Sequence, residues 1–135
     1  LRKEQNEPAI PDTTPYNLPA SWRWIPFGEM HWLTRGVTYT KSDVSKLPED
    51  GYTPLLTANN IGEKLSFDNP VYVRSERIGD EQYLRLGDFL TSLSSGSKHL
   101  VGKAVLVPPV SGFAFGGFCR LIRLFEQECT GFTAT

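Results

Sequence analysis

Cysteine and histidine are scarce in this chain of 135 residues, with two of each. Cys119 and Cys129 are too few for a disulfide-stapled scaffold or for a zinc site of four thiolates. Both read as small packed or near-surface thiols. His31 and His99 stand far apart, and no C-x-x-C or H-x-x-x-H spacing offers a metal its ligands. A nucleophilic Ser-His or Cys-His site would have to use one of these two histidines. The G-x-S-x-G elbow is absent, and His31 between Met30 and Trp32 is more simply a packed or surface imidazole. Long apolar runs are missing too. No stretch nears 18 residues, which excludes a membrane-spanning helix. No charged and apolar pair of segments marks a signal peptide, so a cytoplasmic location is expected. The chain opens on Leu1 rather than Met, and a fragment or processed polypeptide is expected.

Phosphate-binding loops also fail on inspection. Residues 96–103 read G-S-K-H-L-V-G-K, with five residues between the glycines where a P-loop has four. Ala104 follows the lysine and has no hydroxyl for magnesium. G-x-G-x-x-G is absent, and nothing favours a pair of carboxylates for acid/base work.

Charge is nearly balanced, with 14 Lys and Arg against 15 Asp and Glu. Its distribution is uneven. From Phe89 to Phe125 there are four cations (Lys98, Lys103, Arg120, Arg123) and no carboxylate, where about four would be expected from 15 in 135. Such a stretch suits a phosphate-bearing partner. Strand burial, which excludes carboxylates anyway, accounts for it equally well.

Residues 1–21 hold four of the ten prolines (Pro8, Pro11, Pro15, Pro19) and lack apolar periodicity, which reads as an arm or linker. Residues 22–124 read as one domain body, and 125–135 as a short tail. Phe27 to Leu33 suggests helical turns closed by Gly36. After Gly36 the composition is that of strands: 37–40, 52–57, 70–74, 89–93, 100–107 and one or two within 113–124. Ser75 to Gln82 suits one or two helical turns. The expected class is α+β, mainly an irregular β-rich domain with one or two short helices.

Three segments carry groups suited to nucleic acid. Arg35 to Lys41 combines cations, Thr38 and Tyr39 around a glycine. Asn59 and Asn60 are adjacent carboxamides. Ser94, Ser95, Ser97 and Lys98 surround a flexible glycine, with Lys103 beyond. Asn can pair with adenine through two hydrogen bonds, and Arg or Lys can donate to guanine. Ser, Thr and Lys suit phosphate oxygens. Each also has a plain reading, as an Asn-Asn turn, a serine-rich loop or the start of a strand.

An ordered set of blocks runs through these segments: Leu18-Pro19-Ala20-Ser21-Trp22-Arg23-Trp24, Phe27-Gly28-Glu29, Arg35-Gly36-Val37-Thr38-Tyr39, Pro54 to Ile61, Leu86-Gly87-Asp88-Phe89-Leu90, Ser94 to Lys103, and Gly116-Gly117-Phe118-Cys119-Arg120. The set resembles a target recognition domain of the specificity (S) subunit of type I restriction-modification enzymes. The resemblance covers about residues 18–124. It implies an irregular β-rich body, followed by a helical portion and a long spacer helix. It implies that each such domain reads half of a bipartite site on double-stranded DNA, without catalysis or a cofactor of its own. S-adenosylmethionine would belong to the modification subunits that methylate adenine. ATP and magnesium would belong to the restriction subunits that translocate and cut. After Arg123 this sequence does not continue as the family does. The front part of one recognition domain, lacking the spacer helix, is therefore expected. The site residues it implies are Arg35, Thr38, Tyr39, Lys41, Asn59, Asn60, Ser94, Ser95, Ser97, Lys98 and Lys103. Two other readings stand beside it: a truncated β-rich interaction domain without DNA affinity, and a small hydrolase using Cys119 with His31 or His99.

Overall fold

Two four-stranded sheets share a core in the computed structural model, which describes residues 15–24, 26, 31–93, 96 and 98–124. The strands are β1 (His31–Arg35), β2 (Val44–Ser45), β3 (Tyr52–Leu56), β4 (Val71–Arg74), β5 (Phe89–Ser92), β6 (Ala104–Leu106), β7 (Ala114–Phe115) and β8 (Cys119–Leu124). The first sheet has the order β1-β8-β5-β6 and is antiparallel throughout. The second has the order β2-β4-β3-β7, with only β3 and β7 parallel.

Alternation along the strands decides what each face buries. Leu56 and Phe115 of the second sheet meet Leu90, Val105 and Leu121 of the first in one apolar cluster. The neighbours Leu55 and Ala114 point the other way. They pack with Val37 and Val73, and with the partly buried Tyr39, Val71 and Tyr83. The second sheet is thus covered on both faces, and Leu55, Leu56, Val73, Leu90 and Phe115 have no exposed surface.

The chain passes from one sheet to the other through Gly116 and Gly117, between β7 and β8. Here it crosses the segment that leaves β1. The Val37 N–H donates to Phe115 O at 2.8 Å, and Val37 bridges to Gly116. A Cβ on Gly36 would stand 1.9 Å from the Gly116 carbonyl oxygen, so no larger residue fits that crossing.

Four corners share one device. In each, a backbone N–H donates to the side-chain oxygen three residues on: Thr40 to Asp43 at 2.9 Å, Thr57 to Asn60 at 2.9 Å, Gly79 to Gln82 at 2.9 Å and Arg85 to Asp88 at 2.8 Å. The backbone N–H of the later residue returns a bond to the carbonyl of the earlier one. This reciprocal pattern satisfies donors that a short turn otherwise leaves open.

The expected helical turns at 75–82 form as two short 3-10 turns, Ser75–Arg77 and Asp80–Gln82. The helix expected over 27–33 is corrected where it can be seen. His31–Leu33 open β1, and residues 27–30 lie outside the described set. Trp32 and Leu33 are both exposed, so there is no helical stripe to bury, and five registered pairs with β8 take the backbone instead. The strand expected over 37–40 is reduced to the single bridge at Val37, because Thr38–Thr40 leave the sheet. The strand expected over 100–107 begins only at Ala104. Gly102 ahead of it has φ 84°, a left-handed turn conformation, and Lys98–Leu100 form a 3-10 turn.

Candidate nucleic-acid interface

One end of the first sheet gathers the loops of interest, and the strand register shows why. β1 ends where Arg35 pairs with Arg120. β8 begins at Cys119, opposite Ser92 at the end of β5. β6 begins at Ala104, opposite Thr91. The segments after β1, after β5, before β6 and before β8 therefore leave the sheet on the same side. The Thr57 corner joins them from the second sheet, since Leu56 pairs with Phe115 and Gly116 N–H donates to Leu56 O at 2.8 Å.

Between the segment after β1, the Thr57 corner and the segment before β8 lies an open groove of about 300 Å3. Arg35, Thr38 and Tyr39 form one wall, Thr57 and Ala58 the second, and Gly117 and Phe118 the third. No residue lining it is acidic. Arg35 and Arg120 stand directly opposite across β1 and β8, hence on one face of the sheet. Like charges placed so repel one another, and an anion between them relieves that repulsion. Arg120 is held low by donating Nη1 to Gly117 O and Cys119 O, both at 2.9 Å.

The segments picked from sequence fare differently. Arg35, Thr38, Lys41, Asn59, Lys98 and Lys103 are exposed. Arg35 and Thr38 line the groove. Lys41 opens the 3-10 turn just after it, and Asn59 lies in the Thr57–Asn60 corner. Lys103 stands immediately before β6 and Lys98 in the same connection. Tyr39 lines the groove but is half-buried against the second sheet's core. Asn60 is corrected. It is 5% exposed, its Oδ1 accepts from Thr57 N–H, and its Nδ2 donates to Asp68 O at 2.9 Å. Buried and engaged this way, the carboxamide is held in the corner rather than presented to a base edge. Ser94, Ser95 and Ser97 lie outside the described residues.

The carboxylate-free stretch resolves into two parts. Lys98 and Lys103 face solvent, whereas Arg123 turns inward. Its Nε and Nη2 donate to the two Asp88 carboxylate oxygens, each at 2.8 Å, and Nη2 also reaches Tyr83 O at 2.9 Å. Sequence reasoning missed Phe118 as a site residue. It is 71% exposed on the groove rim, and the available signal was an aromatic following two glycines inside an otherwise apolar run.

Two titratable groups near the site are displaced. Hydrogen bonds from the Thr40 backbone and hydroxyl, then from Arg77, hold the Asp43 carboxyl below its ordinary value. Burial pushes the Cys119 thiol up to about 11, against a smaller opposing pull from Arg120. A thiol so placed is a poor nucleophile, which removes the support for hydrolysis through Cys119.

No family model matches the chain. It is 34% identical over 118 residues to the specificity subunit of the type I restriction enzyme EcoKI of Escherichia coli (strain K12), a match covering 87% of this chain and 25% of that protein. It is 34% identical over 107 residues to the StySPI specificity subunit of Salmonella potsdam, covering 78% and 23%. The chain thus spans about a quarter of the length of these curated relatives. Among solved structures it resembles the HsdS subunit from Thermoanaerobacter tengcongensis, with a TM-score of 0.61, 19% identity, and coverage of 90% of this chain and 29% of that one. A chain from a type I R-M system, solved to explain complex assembly and conformational transition, matches with a TM-score of 0.57, 20% identity, and coverage of 84% and 27%. At these identities the structural matches carry the fold.

Proposed function

Since the chain belongs, as a segment, with the specificity subunits of type I restriction enzymes, we propose that it recognises sequence in double-stranded DNA through the loop end of its first sheet. One observation carries this reading. Three segments from both sheets line a groove without carboxylates, beside which Arg35 and Arg120 pair across β1 and β8, with the exposed ring of Phe118 in its lining and the exposed Asn59 next in sequence to the lining residue Ala58. Lys41, Lys98 and Lys103 serve phosphates, which fix register without reading sequence. Arg35, Thr38 and Asn59 are the groups able to reach base edges. Ser94, Ser95 and Ser97 join the phosphate contacts in the same connection as Lys98. Tyr39 shapes one wall of the groove and Asn60 holds Asn59 in place.

In this reading the chain performs no catalysis and holds no cofactor. The modification and restriction subunits supply S-adenosylmethionine, ATP and magnesium chemistry, and the complex works in the cytoplasm. No helix among the described residues is long and apolar enough to cross a membrane. Residues 1–21 serve as an arm and 22–124 as the recognition body.

Binding to duplex DNA over a range of salt concentrations tests the reading. Lys98→Ala or Lys103→Ala is expected to weaken binding to all sequences alike and to lower the salt slope by about one unit. Absence of salt-dependent binding by the unsubstituted protein overturns it.

A further inference from the structure

Phe118 shares with Leu47 the highest exposure of any large apolar side chain among the described residues, 71%. Its backbone is nevertheless fixed. Cys119 N–H donates to Gly116 O at 2.9 Å, and Leu93 N–H donates to Phe118 O at 3.1 Å. The Arg120 guanidinium ties the carbonyls on either side of it, those of Gly117 and Cys119. A loose loop would fold such a ring back onto the groove. These bonds hold the turn at the rim, with the ring facing solvent.

Its surroundings decide what the ring meets. Arg35 lines the groove beside it, Lys103 borders the neighbouring β5–β6 connection, and no carboxylate lines the groove. An apolar partner surface would gain nothing from these two cations, whereas a polyanion with stacked aromatic planes matches both features. The geometry points to Phe118 as a wedge that enters a base step of duplex DNA and partly unstacks it, while Lys103 holds a flanking phosphate and Arg35 reaches a base edge beside the step. The inference rests on the DNA-recognition reading and adds a deformation to it. Inserted apolar side chains act at steps that unstack readily, so the wedge selects sequence by deformability and needs no hydrogen bond to a base. Arg120 is the positioning residue, because it fixes the turn that carries the ring.

The test uses the full-length protein. A duplex enriched by it from a random-sequence pool is resynthesised with 2-aminopurine replacing adenine at successive steps. Binding is expected to raise fluorescence at one step. Phe118→Ala is expected to abolish that rise and to weaken affinity about tenfold, while Phe118→Trp keeps both. Thermal unfolding of the two variants is expected to match the parent, because the ring is exposed. Salt-dependent binding without a fluorescent step, or a rise that survives Phe118→Ala, overturns the wedge and leaves DNA recognition standing. Unchanged affinity in Phe118→Ala, with loss of association to another protein subunit, also overturns it. No DNA binding by the parent protein overturns both readings together.

Discussion

Asp88 and Arg123 meet through two hydrogen bonds of 2.8 Å each, joining the entry of β5 to the far end of β8. Asp88 is 2% exposed and also accepts the Arg85 N–H, so one carboxylate closes a corner and anchors a neighbouring strand. Removing one member of a buried pair leaves the other charge uncompensated. Asp88→Ala is expected to cost about 3–5 kcal/mol of stability. Denaturant unfolding measures this. A cost below about 1 kcal/mol would show that the pair is solvated.

The adjacent asparagines are expected to separate cleanly. Asn60→Ala removes the acceptor for Thr57 N–H and the donor to Asp68 O, and is expected to cost about 1–3 kcal/mol of stability. Asn59→Ala is expected to change stability by less than about 0.5 kcal/mol, since the side chain is exposed. If Asn59 reads a base, its loss costs roughly 1–3 kcal/mol of affinity on the cognate duplex and little on random DNA. Thermal melts combined with binding to both duplexes give the four values. Equal melting shifts for the two variants would contradict this division of roles.

Acid is expected to loosen the Thr40–Asp43 corner. The Asp43 pKa is lower folded than unfolded, so the folded state binds fewer protons and stability falls with pH. The contribution is complete above the ordinary carboxylate value of about 3.9 and is lost as pH drops through the folded value. Denaturant midpoints of the parent and Asp43→Asn are expected to converge below about pH 4. Parallel curves down to pH 2 would assign the acid sensitivity to other carboxylates.

Cys119 is expected to resist alkylation while the protein is folded. With its thiol at about 11, roughly one part in a thousand is thiolate at pH 8, about a hundredfold less than for an ordinary cysteine. Burial slows it further. Peptide mapping after iodoacetamide, native and in denaturant, reports this site separately from Cys129. Fast native labelling of Cys119 would show that β8 opens.

Where strands were legible in the sequence, side-chain type agreed with burial. Tyr52–Leu56, Val71–Arg74 and Cys119–Leu124 are rich in β-branched, aromatic or leucine residues and became β3, β4 and β8. β1 was hidden because His31, Trp32 and Leu33 suit a helix equally well, and what decides is pairing with a strand far along the chain. β2 has two residues, too few for any periodicity. The loop segments around Arg35–Lys41 and Asn59 were legible as polar groups next to glycine or in turns. Their convergence was not, because it follows from the crossing at Gly36 and Gly116. The inward turn of Asn60 was equally hidden, since adjacent asparagines look alike until the corner that uses one of them is seen.

The place of β8 between β1 and β5 has a consequence during synthesis. As the chain emerges from the ribosome, β5 and β6 can pair, but β1 has no partner until residues 119–124 arrive. Its open edge carries Trp32 and Leu33, both exposed even in the finished fold. Pairing between residues so distant in the chain is slow to form, and unpaired edges associate with other chains meanwhile. β8 therefore acts as the closing stave of the first sheet. Until it is in place, neither the Arg35–Arg120 pair nor the Phe118 turn exists, so the proposed recognition end awaits the arrival of β8.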